Sequence, residues 1–227
     1  MTVDLSVIMP VINEQAQIRP AVERLRRQSF SGNLEIIVVD GDPCGSTISC
    51  LPETAAIRMT ASPGRGSQMN AGARQASGRI LLFLHCDTRL PQGGLDSILS
   101  LMAAPGIDAG AFDLAIDHPG TRYRIIERTA SFRSRLTRIP YGDQAVFIRA
   151  AFFNRVGRYR EIPIMEDVEL MRRIKKEKGR IHIFNESVKT SARRWEKEGL
   201  VFCTVRNWFL VLLFLWGVSP EKLSRFY

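Results

Sequence analysis

The sequence predicts an α/β fold built on a mostly parallel central sheet. Short apolar runs of five or six residues, bounded by turn residues, recur through the first hundred positions. Between them lie stretches with helical spacing, the alternation expected of strands joined by crossover helices. Polar clusters stand where the runs stop, at Asn13-Glu14, Asp40/Asp42 and His85-Cys86-Asp87. In open α/β sheets, ligands bind just past the carboxyl ends of the strands.

Leu5 to Met9 is the first strand, ended by Pro10. Glu14 to Gln28 places Ile18, Ala21, Val22 and Leu25 on one helical face, with Asn13 as the expected N-cap. Leu34 to Val39 and Ile57 to Met59 are strands, and Gly66 to Ser77 is a helix with Gly78 expected at its C′ position. Ile80 to Leu84 is an uninterrupted apolar run that breaks off at His85-Cys86-Asp87, as a central parallel strand would. Leu95 to Met102 is helical, Ala109 to Ile116 alternates as a strand, and Thr121 to Thr137 is a helix. Ala145 to Ile148 is a strand. Glu166 to Lys178 is a helix whose first turn is acidic and whose last is basic, matching the macrodipole. Gly179 ends it, and Ile181 to Phe184 is a further strand.

A chain of 227 residues can bury one good α/β core, and it shows no internal repeat. Its N-terminus lacks a basic segment and a cleavage site, so no leader is expected and the expected location is cytoplasmic. Cys44, Cys50, Cys86 and Cys203 are scattered, which excludes a zinc knuckle or a disulfide framework. The net charge of +9 suits an anionic partner. Six arginines (Arg122, Arg124, Arg128, Arg133, Arg135, Arg138) concentrate that charge between positions 122 and 138, on and just after one helix. The tail, 199–227, is read as a unit after a main domain of 1–198. Trp208 to Val218 is apolar, flanked by cations and too short to span a bilayer, which takes roughly 20 residues. Such a segment lies in a membrane interface, on the inner face for a cytoplasmic protein, or forms a buried or homodimer contact.

Clustered carboxylates repel one another unless a cation, a donor pair or a proton compensates them. A divalent cation shared between Asp87 and a diphosphate is one such compensation. Gly64-Arg65-Gly66, a cation among glycines before a helix N-terminus, is a setting for phosphate. The dinucleotide fingerprint, the P-loop, the G-x-S-x-G elbow and zinc-ligand histidine spacing are all absent.

The segments Leu5-Ser-Val-Ile-Met-Pro-Val-Ile-Asn-Glu14, Glu35-Ile-Ile-Val-Val-Asp40, Arg65-Gly-Ser-Gln-Met-Asn-Ala-Gly72 and Leu82-Phe-Leu-His-Cys-Asp87, in this order, resemble glycosyltransferase family 2. Tyr141-Gly-Asp-Gln144, Met165-Glu-Asp-Val-Glu-Leu170 and Ser191-Ala-Arg-Arg-Trp195 resemble a bacterial subgroup of short proteins within it. The resemblance implies the GT-A fold, a Rossmann-like architecture, and transfer of a sugar from a nucleotide-diphospho-sugar with inversion. It implies that Pro10, Glu14 and Asp40 cradle base and ribose, with Asn13, Asp42, Arg65 and Asn70 among the nucleotide-binding residues. Asp87 matches the last carboxylate of the family's D-x-D and would bind Mn²⁺ or Mg²⁺. Asp167 would be the general base, with Glu166 beside it. Tyr141, Gly142, Asp143, Gln144, Arg194 and Trp195 would line the acceptor and diphosphate side. His85 stands where D-x-D has its first Asp, and Ser191 where Q-x-x-R-W has Gln. UDP is the first expected base and GDP the second; the acceptor, lipid-linked or otherwise, is left open.

Two other readings stand beside this one. A sugar-phosphate nucleotidyltransferase would want a glycine-rich loop after the first strand, where this chain has Pro10-Val-Ile-Asn-Glu14. A non-catalytic basic protein would hold nucleic acid or membrane through the arginine helix. Carboxylates at the strand ends would repel nucleic-acid phosphates, so no nucleic-acid partner is expected.

Overall fold

The computed structural model describes residues 2–227. In chain order the strands and helices are β1 (Leu5–Val11), α1 (Gln15–Arg26), β2 (Leu34–Asp40), β3 (Ile57–Thr60), α2 (Arg65–Gln75), β4 (Ile80–Phe83), β5 (Thr88–Arg89), α3 (Gly94–Ala103), β6 (Ala109–Asp117), α4 (Thr121–Thr137), β7 (Phe147–Arg149), α5 (Ala150–Arg155), α6 (Glu166–Lys176), β8 (Ile181–Ser191), α7 (Arg193–Glu198), α8 (Leu200–Leu215) and α9 (Pro220–Leu223).

The strands form one sheet in the order β3-β2-β1-β4-β7-β6-β8-β5. β1, β2, β3 and β4 are mutually parallel, with Val7 opposite both Ile36 and Leu82. Their period-2 alternation divides the core in two. Leu5, Val7, Met9, Val38 and Leu82 face α1 and α3, against Ile18, Leu25, Leu95 and Ile98. Ile8, Ile37, Val39, Leu81 and Phe83 face the other way, onto Phe153, Leu170, Met171 and Ile174. Both sheet faces are covered, which is why these strands read as unbroken apolar runs.

β7 runs antiparallel to β4, with Leu82 opposite Phe147. Its approach, Tyr141–Gln144, therefore arrives at the edge where β4 ends. β8 runs parallel to β6 and finishes at that edge too. β5 occupies the far side of the sheet yet follows β4 almost at once. The five Cα steps from Phe83 to Thr88 reach at most about 18 Å. In a flat sheet, four strand spacings would already separate β4 from β5 by about 19 Å. The sheet therefore curls, and pairing of Thr88 with Thr190 brings the end of β8 back beside the end of β4.

Several local details differ from the sequence expectation: β1 runs on through Pro10 to Val11, where Pro10 pairs with Val39, and β8 extends to Ser191 rather than ending at Phe184. Asn13 adopts a left-handed conformation (φ 56°) and turns the chain, so that Glu14 takes the N-cap position of α1. Gly78 does not cap α2, which ends at Gln75. A Cβ there would lie 2.4 Å from Ser6 Oγ and 2.7 Å from the Ser6 amide, so close approach to β1 requires the glycine.

The end of β2 is held by its own aspartate. Asp40 is wholly buried. Its carboxylate accepts hydrogen bonds from the backbone N–H groups of Asp42 (3.0 Å), Thr47 (2.7 Å) and Ile48 (3.2 Å). Thr47 Oγ1 in turn accepts the Glu14 N–H (3.2 Å). Asp40→Ala would leave three donors unpaired, two of them fixed by this one carboxylate oxygen. We expect it to cost about 3 kcal/mol or more of folding free energy, read from the urea midpoint at constant slope. A loss below about 1 kcal/mol would show that water replaces the carboxylate.

Candidate active site

The polar groups converge in a cavity of about 420 Å³ at the carboxyl edge of the sheet. β1 supplies Pro10 and, past its end, Glu14; the start of α2 supplies Arg65 and Gln68; β4 leads to His85, Cys86 and Asp87. The turn before β7 adds Tyr141, Gly142 and Asp143, the N-terminus of α6 adds Glu166 and Asp167, and α7 adds Arg194 and Trp195. Asn13, Asp40, Asp42, Asn70 and Gln144 are not part of its lining.

Four of these are held by hydrogen bonds within the fold, and Asn13 turns the chain before α1. Asp42 accepts the amides of Cys44 (3.0 Å) and Ser46 (3.3 Å) within its own loop. Asn70 is buried and brackets Tyr159, donating to its carbonyl (2.9 Å) and accepting its amide (3.0 Å). Gly66, one position after Arg65, lets the same segment cross α2, since a Cβ there would stand 2.6 Å from the Arg160 carbonyl. The segment thus pinned runs on into α6 and delivers Glu166 to within 3.6 Å of Arg65. Gln144 is buried under the turn that it braces, donating to the Phe112 carbonyl (2.8 Å) and accepting the Tyr141 amide (3.1 Å). Arg133 stacks over the Tyr141 ring, 3.3 Å from its centroid, and fixes it.

The cavity is charged on both accounts. Asp167 Oδ2 accepts the Gly142 N–H (2.7 Å), which sets the orientation of the carboxylate at the mouth of α6. Burial, together with Asp167, pushes the Glu166 carboxyl up to about 7 against the pull of Arg65. Burial and the same Asp167 charge push Asp143 up to about 6, and Asp143 Oδ1 has no hydrogen-bond partner. Burial and the charge of Arg65 lower His85 to about 4, so its imidazole is neutral near pH 7. Burial alone would lower the Arg65 value, but Glu166 and Tyr227 hold the guanidinium firmly charged.

Sequence reasoning did not find Arg193 or Tyr227. Arg193 lies 3.3 Å from Glu14 and 3.6 Å from Asp87, closing the two strand ends β1 and β4 with one cation. The Tyr227 hydroxyl accepts from Arg65 (3.1 Å) and from Arg194, whose guanidinium also lies 4.0 Å above the tyrosine ring. That oxygen marks a point where two guanidinium groups converge, a geometry that phosphate oxygens also satisfy. The adjacency of Arg193 to Arg194 was the only sequence signal for the first; a contact across 162 positions gave none for the second.

Among the described residues, no three His, Cys, Asp or Glu side chains form a ready-made metal cage. What the end of β4 offers is one carboxylate, Asp87, and one neutral imidazole, His85.

The chain resembles, over part of its length, the minor teichoic acid biosynthesis protein GgaB of Bacillus subtilis (30% identity over 105 residues, 43% of this chain and 12% of GgaB). It is similarly related to a GalNAc(5)-diNAcBac-PP-undecaprenol beta-1,3-glucosyltransferase of Campylobacter jejuni (30% over 103 residues, 42% of this chain and 33% of the relative). The chain therefore spans a third or less of these relatives' lengths. In fold it matches residues 1–349 of S. aureus TarS in complex with UDP-GlcNAc, with a TM-score of 0.62 at 17% identity, covering 83% of this chain and 58% of that 1–349 chain. It also matches the mannosyltransferase PcManGT of Pyrobaculum calidifontis in complex with GDP-Man and Mn²⁺, with a TM-score of 0.60 at 18% identity, covering 82% and 56%. These neighbours establish the GT-A fold that the motif order implied. Residues 6–162, well over half of the chain, match the profile of glycosyl transferase family 2, and the protein belongs to that family.

Proposed function

We propose that the protein transfers a sugar from a nucleotide-diphospho-sugar to an acceptor hydroxyl, with inversion at the anomeric carbon. The observation that carries this is one cavity holding an oriented carboxylate, Asp167, together with the converging guanidinium groups of Arg65 and Arg194. The acceptor hydroxyl loses its proton as it attacks, and Asp167 is the base within the cavity that a backbone amide already orients. The leaving diphosphate gains charge, and Arg65, Arg194 and Arg193 are the cations placed to receive it. Pro10 and Glu14 are then on the nucleoside side. UDP and GDP are the bases to test first, supported by the donors named in the TarS and PcManGT complexes.

The donor set at β4 fits an ion shared with substrate rather than one caged by protein. Mg²⁺ and Mn²⁺ are commonly held by one or two carboxylates plus substrate phosphates. Asp87 would hold the ion with neutral His85 beside it; when bound, the ion would neutralise charge on the departing diphosphate. Asp87→Ala should abolish the Mn²⁺-dependent part of UDP or GDP binding in calorimetric titrations and leave the circular dichroism unchanged. Equal Mn²⁺ enhancement in the variant would remove Asp87 from this role.

Asp167→Asn keeps the size and one acceptor oxygen for the backbone amides of Gly142 and Val168, and removes the carboxylate's basicity. Turnover should fall by on the order of 100-fold or more with little change in donor KM, as loss of a general base predicts. If turnover survives, Glu166 or Asp143 is the base.

We further propose peripheral association with an anionic membrane. No helix among the described residues is long and apolar enough to cross a bilayer. α8, at 16 residues, is about 24 Å long against a hydrocarbon core of about 30 Å. It nevertheless exposes Phe202, Trp208, Phe209, Leu212 and Leu215, and Trp216 follows at 82% exposure. Such an apolar face beside cations is what interfacial helices carry. The lipid-linked substrate in the Campylobacter relative's name is consistent with it. The chain should float with anionic liposomes, and Phe209→Glu with Trp216→Glu should abolish flotation. Absence of flotation by the parent would refute the association.

A further inference from the structure

We propose that the groove between α4 and α8 seats the hydrocarbon chain of the acceptor, so that the acceptor is an amphiphile whose reacting hydroxyl meets Asp167. This rests on the transferase reading of the adjoining cavity. The groove has a volume of about 560 Å³ and is walled by Phe132, Ile139, Trp208, Leu212 and Leu215. Phe132 is 68% and Leu212 52% exposed, an arrangement that leaves apolar surface in water unless something covers it.

Continuity with the cavity identifies the occupant. Tyr141, Val168 and Val211 belong to the walls of both spaces. Val168 directly follows Asp167, and Tyr141 directly precedes the Gly142 whose amide orients Asp167. The shared wall therefore lies beside the base. The elements proposed for the donor, β1, the start of α2 and the end of β4, contribute nothing to the groove, whose lining comes from α4, the segment after it, α6 and α8. A molecule reaching Asp167 from the acceptor side would leave its remainder along this apolar channel. Arg128 stands exposed on the rim, suited to an anionic group on such a molecule.

The probe is dansyl-labelled farnesyl phosphate, titrated into the full chain without detergent or lipid, with energy transfer from tryptophan as the signal. Saturable binding is expected. Phe132→Glu and Leu212→Glu, each placing a carboxylate in the groove, should weaken it by about tenfold or more. Phe209→Glu, on the exposed face of α8 outside the groove, should leave it unchanged. Both groove positions are exposed, so folding should survive, as thermal melts would verify. Absence of saturable binding would overturn the proposal, as would equal loss from Phe209→Glu and Phe132→Glu. So would a dimer that dissociates on Leu212→Glu, since a second copy would then be the occupant. Titration with UDP and with GDP, each with Mn²⁺, separates the two readings. Groove-selective probe binding without nucleotide binding would uphold the groove and refute the transferase; nucleotide binding without probe binding would do the reverse.

Discussion

The constraint on which the site depends is the short connection from β4 to β5. Only Leu84, His85, Cys86 and Asp87 separate a central strand from the far edge of the same sheet. The sheet must curl to satisfy it. Curling brings the end of β8, and with it Arg193 and Arg194, against the residues that bridge the gap. Asp87 and Arg193 meet because the connection is short; both then share a wall with Glu14 at the end of β1. A longer loop here would let the sheet open and separate the cations of α7 from the carboxylates of β4.

Electrostatics then follows from crowding. Asp143, Glu166 and Asp167 occupy one partly dry cavity, where like charges raise one another's affinity for protons. Two responses are visible. Arg65 faces Glu166, and Glu166 and Asp143 have carboxyl groups pushed up to about 7 and about 6. The folded state therefore holds protons that the unfolded chain has released, between the ordinary carboxylate range and pH 7. By linkage, this part of the site opposes stability increasingly as the pH rises through that window. That is a cost at a binding site rather than a contribution to the fold. A cation or a proton entering with substrate would relieve it, and the Asp40 loop, by contrast, has all its charge satisfied by backbone amides.

Much of this was legible in the sequence because it is local. Short continuous apolar runs at Leu5–Met9 and Leu34–Val39 located the parallel strands, and the abrupt end of the Ile80 run located Asp87. Arg65 was legible from its place before a helix N-terminus, and Asp167 stood out only through the resemblance carried by Met165-Glu-Asp-Val-Glu-Leu170. The roles of Asp40, Asp42 and Asn70 were harder, because an aspartate at a strand end reads alike whether it faces a ligand or ties its own loop. Only three-dimensional hydrogen bonding separates Asp40, satisfied by amides, from Asp87, left facing the cavity. Gln144 raised the same difficulty: its motif marked the turn, but its side chain points beneath it to the Phe112 carbonyl. The curl, Arg193 and Tyr227 were invisible for a different reason, since they depend on pairings between distant segments that no local pattern encodes.

The last 28 residues gain meaning from where they pack. α8 does not stand apart from the sheet. Leu210 is buried with Ile164 and Leu223, directly before the α6 N-terminus that carries Glu166 and Asp167. One side of α8 therefore buttresses α6, while Asn207 and Val211 reach the cavity and Trp208, Leu212 and Leu215 line the groove. The chain then turns back so that Tyr227 lies between Arg65 and Arg194. α8 is thus engaged on one side with the cavity and presents exposed apolar surface on the other.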